Sequence, residues 1–189
     1  MKIRFTILVM LSVILTIVGC EKKYIPKPKG YFRIDLPTHE YRLFDTIFPY
    51  KFEYSKHARY EVYNRDSAWI NLFYPRFRAK IHITYKNPQT ENLDEIIDES
   101  QTLVYKHTLK ADAIDECLLT DTLHHVYGIL YTLEGNSASN IQFYITDSSK
   151  HFFRGALYFE VKPNYDSLRP VITYIKDDIK HLIRSMRWK

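Results

Sequence analysis

The chain has 189 residues, 46% of them hydrophobic and 26% charged, with a formal net charge of +5. Five glycines and eight prolines exclude collagen-like or low-complexity character, and the mild, dispersed basicity marks no nucleic-acid surface. Tyrosine is the outlier: 16 Tyr stand beside 11 Phe and 2 Trp, a bias that favours strands and amphipathic surfaces.

Residues 1–20 read MKIRFTILVMLSVILTIVGC. Lys2 and Arg4 form a short basic region, and Phe5 to Val18 is almost continuously apolar. A membrane span needs about 20 apolar residues. This run has instead the length and flanks of a secretory signal peptide, expected over residues 1–19. Its end, Ile17-Val18-Gly19-Cys20, resembles the bacterial lipobox, in which the cysteine is diacylated and becomes the new N-terminus. Cys20 is therefore the expected lipid attachment site, and the membrane an expected partner, each buried CH2 contributing about 0.8 kcal/mol. The competing reading is an uncleaved anchor helix with an incidental cysteine. The position of Cys20, where the apolar run stops and Glu21-Lys22-Lys23 begins, favours the lipobox. Acylation leaves Cys117 without a disulfide partner, and it is expected as a small, partly buried apolar residue.

Residues 20–30 read as a lipid-anchored tether. Pro26 and Pro28 hold their neighbours extended, and such a segment reaches roughly 30 Å. A single α+β domain is expected over 31–189. It opens on an alternating run, with Phe32, Ile34 and Leu36 on one side and Tyr31, Arg33 and Asp35 on the other. The pattern predicts a first strand closed by Pro37. It leaves Tyr31, Arg33 and Asp35 as candidate partner-binding residues.

Further strands are predicted over 50–54, 59–64, 68–74 and 78–85. Ala68 to Tyr74 is apolar on both faces and reads as central. In RAKIHITY, Ala79, Ile81, Ile83 and Tyr85 form one face of a half-buried antiparallel strand. Asn92 and Glu95 suit a helix cap, followed by a stripe of Leu93, Ile96, Ile97, Ser100, Leu103, Val104 and His107. Strands over 113–119, 126–133, 140–146 and 152–160 follow. The last element is a long helix starting near Asp166 or Ser167, striped by Leu168, Val171, Ile172, Ile175, Ile179, Leu182, Ile183 and Met186. Pro170 is expected in its first turn. This order predicts a mostly antiparallel sheet with packed helices.

A search for chemistry yields no catalytic residue, metal set or cofactor site. His39, His57, His82, His107, His124, His125, His151 and His181 form no His-Glu-x-x-His motif. Adjacent histidines such as His124 and His125 point to opposite faces of a strand and cannot chelate together. Surface histidines are the plain reading. Ser137 lies in GNSAS, where serine replaces the second glycine of Gly-x-Ser-x-Gly and a strand pattern follows instead of a helix. A hairpin turn at Gly135-Asn136 accounts for it better. Asp94, Glu95, Asp98 and Glu99 sit at a helix start, and Asp177-Asp178 reads as solvated.

PKPKGYFRIDLP behind a lipobox, WINLFYP with RFRAKIHITYK, LVYKHTLKADAI, and the long segment from LEGNSASNIQFY to IRSMRW occur in that order. Together they resemble the gliding-motility lipoprotein family of Bacteroidota known as GldD. The resemblance spans nearly the whole chain after Cys20. It implies a cell-envelope accessory of gliding and of the associated type IX secretion machinery, with envelope proteins of that machinery as partners, and no enzyme. The element order also looks PsbP-like, with helices layered on an antiparallel sheet. The absence of an acidic cluster after Cys20 implies a periplasm-facing protein and leaves the choice of membrane open. An alternative, motivated by the tyrosines, is a periplasmic glycan- or small-ligand-binding module. A hydrolase built on Ser137 or a histidine cluster is a third reading.

Overall fold

The computed structural model describes residues 34–106 and 111–189. Ten strands and two helices follow in the order β1 (Tyr41–Asp45), β2 (Tyr50–Ser55), β3 (Arg59–Asn64), β4 (Trp69–Tyr74), β5 (Ala79–Lys86), α1 (Leu93–Lys106), β6 (Ala113–Asp121), β7 (Val126–Glu134), β8 (Ile141–Thr146), β9 (Phe152–Phe159), α2 (Tyr165–Ser185) and β10 (Arg187–Trp188). All described pairings are antiparallel. One sheet has seven strands in the order β3-β4-β5-β9-β8-β7-β6, and the other has three, β1-β2-β10. The sheet-rich α+β class expected from the sequence is the observed one.

Alternation decides which side of the large sheet each residue meets. From β4, β5, β8 and β9, residues Ile70, Leu72, Ile81, Ile83, Phe143, Ile145, Phe153 and Leu157 enter one core. The small sheet contributes Phe44, Tyr50, Phe52 and Tyr54 to it, and α2 contributes Val171, Ile175, Ile179 and Leu182. On the opposite face α1 places Ile96 and Val104 against Tyr131, Leu133, Tyr144 and Phe152. β8 is covered on both sides and buried at all six positions.

Both helices begin on an asparagine. Asn92 Oδ1 accepts the Asp94 N–H at 3.1 Å. Asn164 Oδ1 accepts the Ser167 N–H at 3.3 Å, so α2 starts at Tyr165, slightly before the expected point. Pro170 consequently falls in the second turn, where it offers no N–H to the carbonyl four residues back.

Three expectations are corrected. Ile34 to Leu36 forms no strand, and Ile34 and Leu36 are 37% and 40% exposed, so their apolar side anchors no sheet edge. The first strand among the described residues is β1, which the sequence conceals because only Phe44 in YRLFD is buried. β4 is second from an edge, not central. Its second apolar face is only half covered: Trp69 Nε1–H donates to the Tyr85 carbonyl at 2.9 Å, and Lys80 lies 5.4 Å above the Phe73 ring.

Candidate functional site

The densest polar constellation surrounds Asp178, which α2 carries on its buried face and which is 2% exposed. His39 Nδ1 lies 2.7 Å from Asp178 Oδ1, and the Tyr74 hydroxyl donates to Asp178 Oδ2 at 3.1 Å. Tyr174, one helical turn earlier, stacks on the His39 ring at 4.4 Å between centroids. The Tyr174 hydroxyl approaches buried Ser55 without completing a hydrogen bond. One turn later, His181 stacks on Tyr41 at 3.5 Å and its Nε2 lies 2.6 Å from Glu53 Oε2. The set thus ties the segment before β1, β1 itself, β2 and the end of β4 to the last helix.

Electrostatics keeps the phenols of this cluster protonated. Burial first, then the Asp178 charge, pushes both Tyr41 and Tyr74 well above the usual phenol range. A protonated phenol donates and cannot act as a base. A His–Asp pair is also part of a hydrolase triad, so a nucleophile is the further requirement. Ser137 does not supply it. Its hydroxyl is buried and donates to the Ser139 carbonyl at 3.1 Å. The neighbouring Asn136 Oδ1 accepts the Tyr165 N–H at the start of α2. That end of α2 lies about 20 Å from Asp178 along the axis, at about 1.5 Å per residue. The arrangement is a clamp.

The end of β1 remote from Tyr41 borders an open groove of about 570 Å3 lined by Leu123, His124, His125, Lys150, Arg187, Trp188 and neighbours. The β10 segment organises it. Trp188 Nε1–H donates to the His125 carbonyl at 2.9 Å, and its ring stacks on His151 at 5.0 Å. Lys189 Nζ reaches Asp45 Oδ1 at 2.5 Å and also the Thr46 carbonyl. Burial pulls the His151 imidazole below its ordinary range, and the Tyr85 hydroxyl lies 2.8 Å from His151 Nδ1.

Several residues singled out in the sequence behave differently here. His124 and His125 occupy the β6–β7 turn, not a strand, and both line the groove; His124 Nδ1 is 2.7 Å from Asp121 Oδ2. His39, His82, His124, His151 and His181 are all hydrogen-bonded; His39 and His82 are exposed, as the surface reading expected, whereas His124, His151 and His181 are partly buried. Cys117 is exposed on β6, not partly buried. Asp178 is buried, not solvated. A signal for it existed: position 178 is three residues after Ile175 and seven after Val171, inside the apolar stripe. Cys20, Tyr31, Arg33 and His107 lie outside the described residues, and Asp35 is exposed. Among the described residues no group of three or more His, Cys, Asp or Glu is placed to hold a metal. No described helix is long and apolar enough to cross a membrane.

Fold and clamp together define a sheet-rich α+β domain whose conspicuous polar residues are used to hold its own parts together. A sequence profile of the family described as gliding motility lipoprotein GldD matches residues 21–188, and the chain belongs to that family. It is thus a gliding-motility lipoprotein associated with the cell envelope, in a family not known for enzymes. No curated protein matches the chain.

Proposed function

We propose that this protein is a non-enzymatic accessory of the gliding-motility and type IX secretion machinery of Bacteroidota, acting through protein–protein contact as an assembly or stabilising factor. Cys20 carries the lipid, residues 21–30 give reach, and the domain faces the periplasm. The PsbP-like layering suggested by the element order belongs to the same reading; α1 and α2 on opposite faces of the large sheet support it.

The observation that carries the contact mechanism is β6. It is nine residues long, stands at the end of the large sheet, and is exposed at most positions, including Leu118 at 79%. Such an edge offers a row of backbone donors and acceptors to an extended partner segment. Asp115 and Glu116 on this strand favour a partner segment bearing Lys or Arg. A photocrosslinker placed at Leu118 in living cells should capture a machinery component. Capture of none, together with normal gliding in a clean deletion strain, would end this reading. Tyr31, Arg33 and Asp35 form a second contact in the proposal. A Tyr31→Ala/Arg33→Ala variant that folds and glides normally removes that part alone.

The alternative of a glycan- or small-ligand-binding module is not favoured. The tyrosine excess that motivates it gathers on no single face: Tyr50, Tyr54, Tyr74, Tyr131, Tyr144 and Tyr174 are buried, while exposed Tyr60 and Tyr63 stand on β3 and Tyr105 on α1.

A further inference from the structure

A cavity of about 160 Å3 lies between α1 and the sheet face that α1 covers. Ile96 and Leu103 of α1, Trp69 of β4 and Phe152 of β9 give it apolar walls. Ser100 stands in the same α1 stripe, at a position that a bulkier apolar residue would fill. At the packing density of protein interiors the space holds about eight non-hydrogen atoms.

The polar groups of the lining are left incompletely used. Ser100 is 3% exposed, and its hydroxyl makes no hydrogen bond among the described residues. Thr84, beside it on β5, lies opposite Arg154 of β9 in the sheet register. Arg154 donates from Nη2 to Gln142 Oε1 at 2.7 Å, and its Nε is buried without a partner. Among the described residues the guanidinium stands in no ion pair. Gln142 Nε2 is also buried without a partner. Native folds leave few such groups unsatisfied, and each calls for a reason.

Charge selects the kind of occupant. Lys86 Nζ, at the rim, is shared by Glu91 at 3.0 Å and Glu99 at 2.9 Å. Lys86 and Arg154 are thus matched by two carboxylates, and the site has no net charge. An anion would gain Arg154 but meet Glu99, which also lines the cavity. A cation would meet the reverse. A neutral head escapes both penalties. That head must accept from Arg154, which only donates, and donate to Glu99, which only accepts. A carboxamide does both from one planar group.

We propose that this cavity binds a small neutral carboxamide. Its apolar body lies against Trp69 and Phe152, and its head lies between Arg154 and Glu99, with Ser100 and Thr84 available to either half. Such a ligand braces α1 on the sheet. The site is an addition to the contact function proposed above, and it owes nothing to the tyrosines. A molecule of this size should bind at about 1 mM.

The test uses the full isotope-labelled lipoprotein in detergent, titrated with 3-methylbutanamide. The chain has two tryptophans, so the two indole N–H signals report on Trp69 in the cavity and on Trp188 outside it. The Trp69 signal should move and saturate while Trp188 stays still. Two probes of the same shape, 3-methylbutanoate and 4-methylpentan-2-one, should each bind at least about fivefold more weakly, the ketone because it accepts but cannot donate. Ser100→Leu should fill the cavity and abolish the shift. Glu99→Ala, at the exposed rim, should weaken the amide about fivefold and strengthen the carboxylate; it decides the matter even if Ser100→Leu folds poorly. No Trp69 shift, equal shifts of both indoles, or a ketone or carboxylate binding as tightly as the amide would overturn the proposal. None of these variants touches β6 or residues 31–35, so a negative result leaves the contact reading standing.

Discussion

His39 Nδ1 lies 2.7 Å from Asp178 Oδ1, across 139 residues of sequence. The segment entering β1 is thereby fastened to the middle of the last helix. Asp178→Ala should destabilise the domain by about 3 kcal/mol, because it strands the buried Tyr74 hydroxyl beside an emptied site. Asp178→Asn keeps an acceptor and should cost about half of that. Urea midpoints of the two variants decide the matter, and an Ala variant within about 0.5 kcal/mol of the wild type would show that the clamp carries no stability.

Gly155 and Gly128 make a second prediction. A Cβ at Gly155 would stand 2.3 Å from Phe143 Cε1, so the ring must move. Gly155→Ala should cost about 1–3 kcal/mol through overpacking. A Cβ at Gly128 would lie 1.9 Å from the Tyr144 carbonyl oxygen, which is backbone and cannot rotate away. Gly128→Ala should therefore be the worse of the two, and the order of their urea midpoints checks this.

Acid should weaken the fold through two imidazoles. Burial holds both His82 and His151 below the ordinary histidine value of 6.5. The unfolded chain therefore takes up protons first as pH falls. The stability due to the neutral rings is present above about pH 6.5 and is lost below it, levelling off once the folded-state values are passed. Melting temperatures across this range should fall for the wild type and fall less for His151→Phe, which keeps a ring against Trp188. A variant with an unchanged slope would remove His151 from the account.

Exposed Cys117 should react with a thiol reagent in native buffer as completely as in denaturant. Protection in native buffer would mean that β6 is covered in solution, by a second copy or by a partner. Analytical ultracentrifugation of the purified protein separates those two.

Where periodicity and burial coincide, the sequence was readable. In β5, Ala79, Ile81 and Ile83 are buried in the anticipated alternation, and α2 buries Val171, Ile172, Ile175, Ile179, Leu182 and Ile183 as the stripe requires. Reading failed where an element is set by its pairing partner and carries no pattern of its own. β1 owes its existence to β2, and β10, at two residues, has no pattern to read. The clamp was missed for a related reason. An acid in an apolar stripe is explained only by the histidine and tyrosine that reach it from other elements. The proposed contact edge had no local signature, since an exposed edge such as β6 is defined by what is not paired with it.

The clamp also sets an order of events. β2 pairs with β10 and packs under α2, so the hairpin formed by residues 41–55 lacks part of its cover until residues 165–188 are available. A chain emerging N-terminus first on the far side of a membrane would leave Phe44, Tyr50 and Phe52 incompletely covered until the last helix followed. Long-range pairings of this kind are slow to form and prone to aggregate meanwhile. Delivery of this protein is therefore a question of timing as much as address: the hairpin is fully covered only when the last helix and β10 arrive.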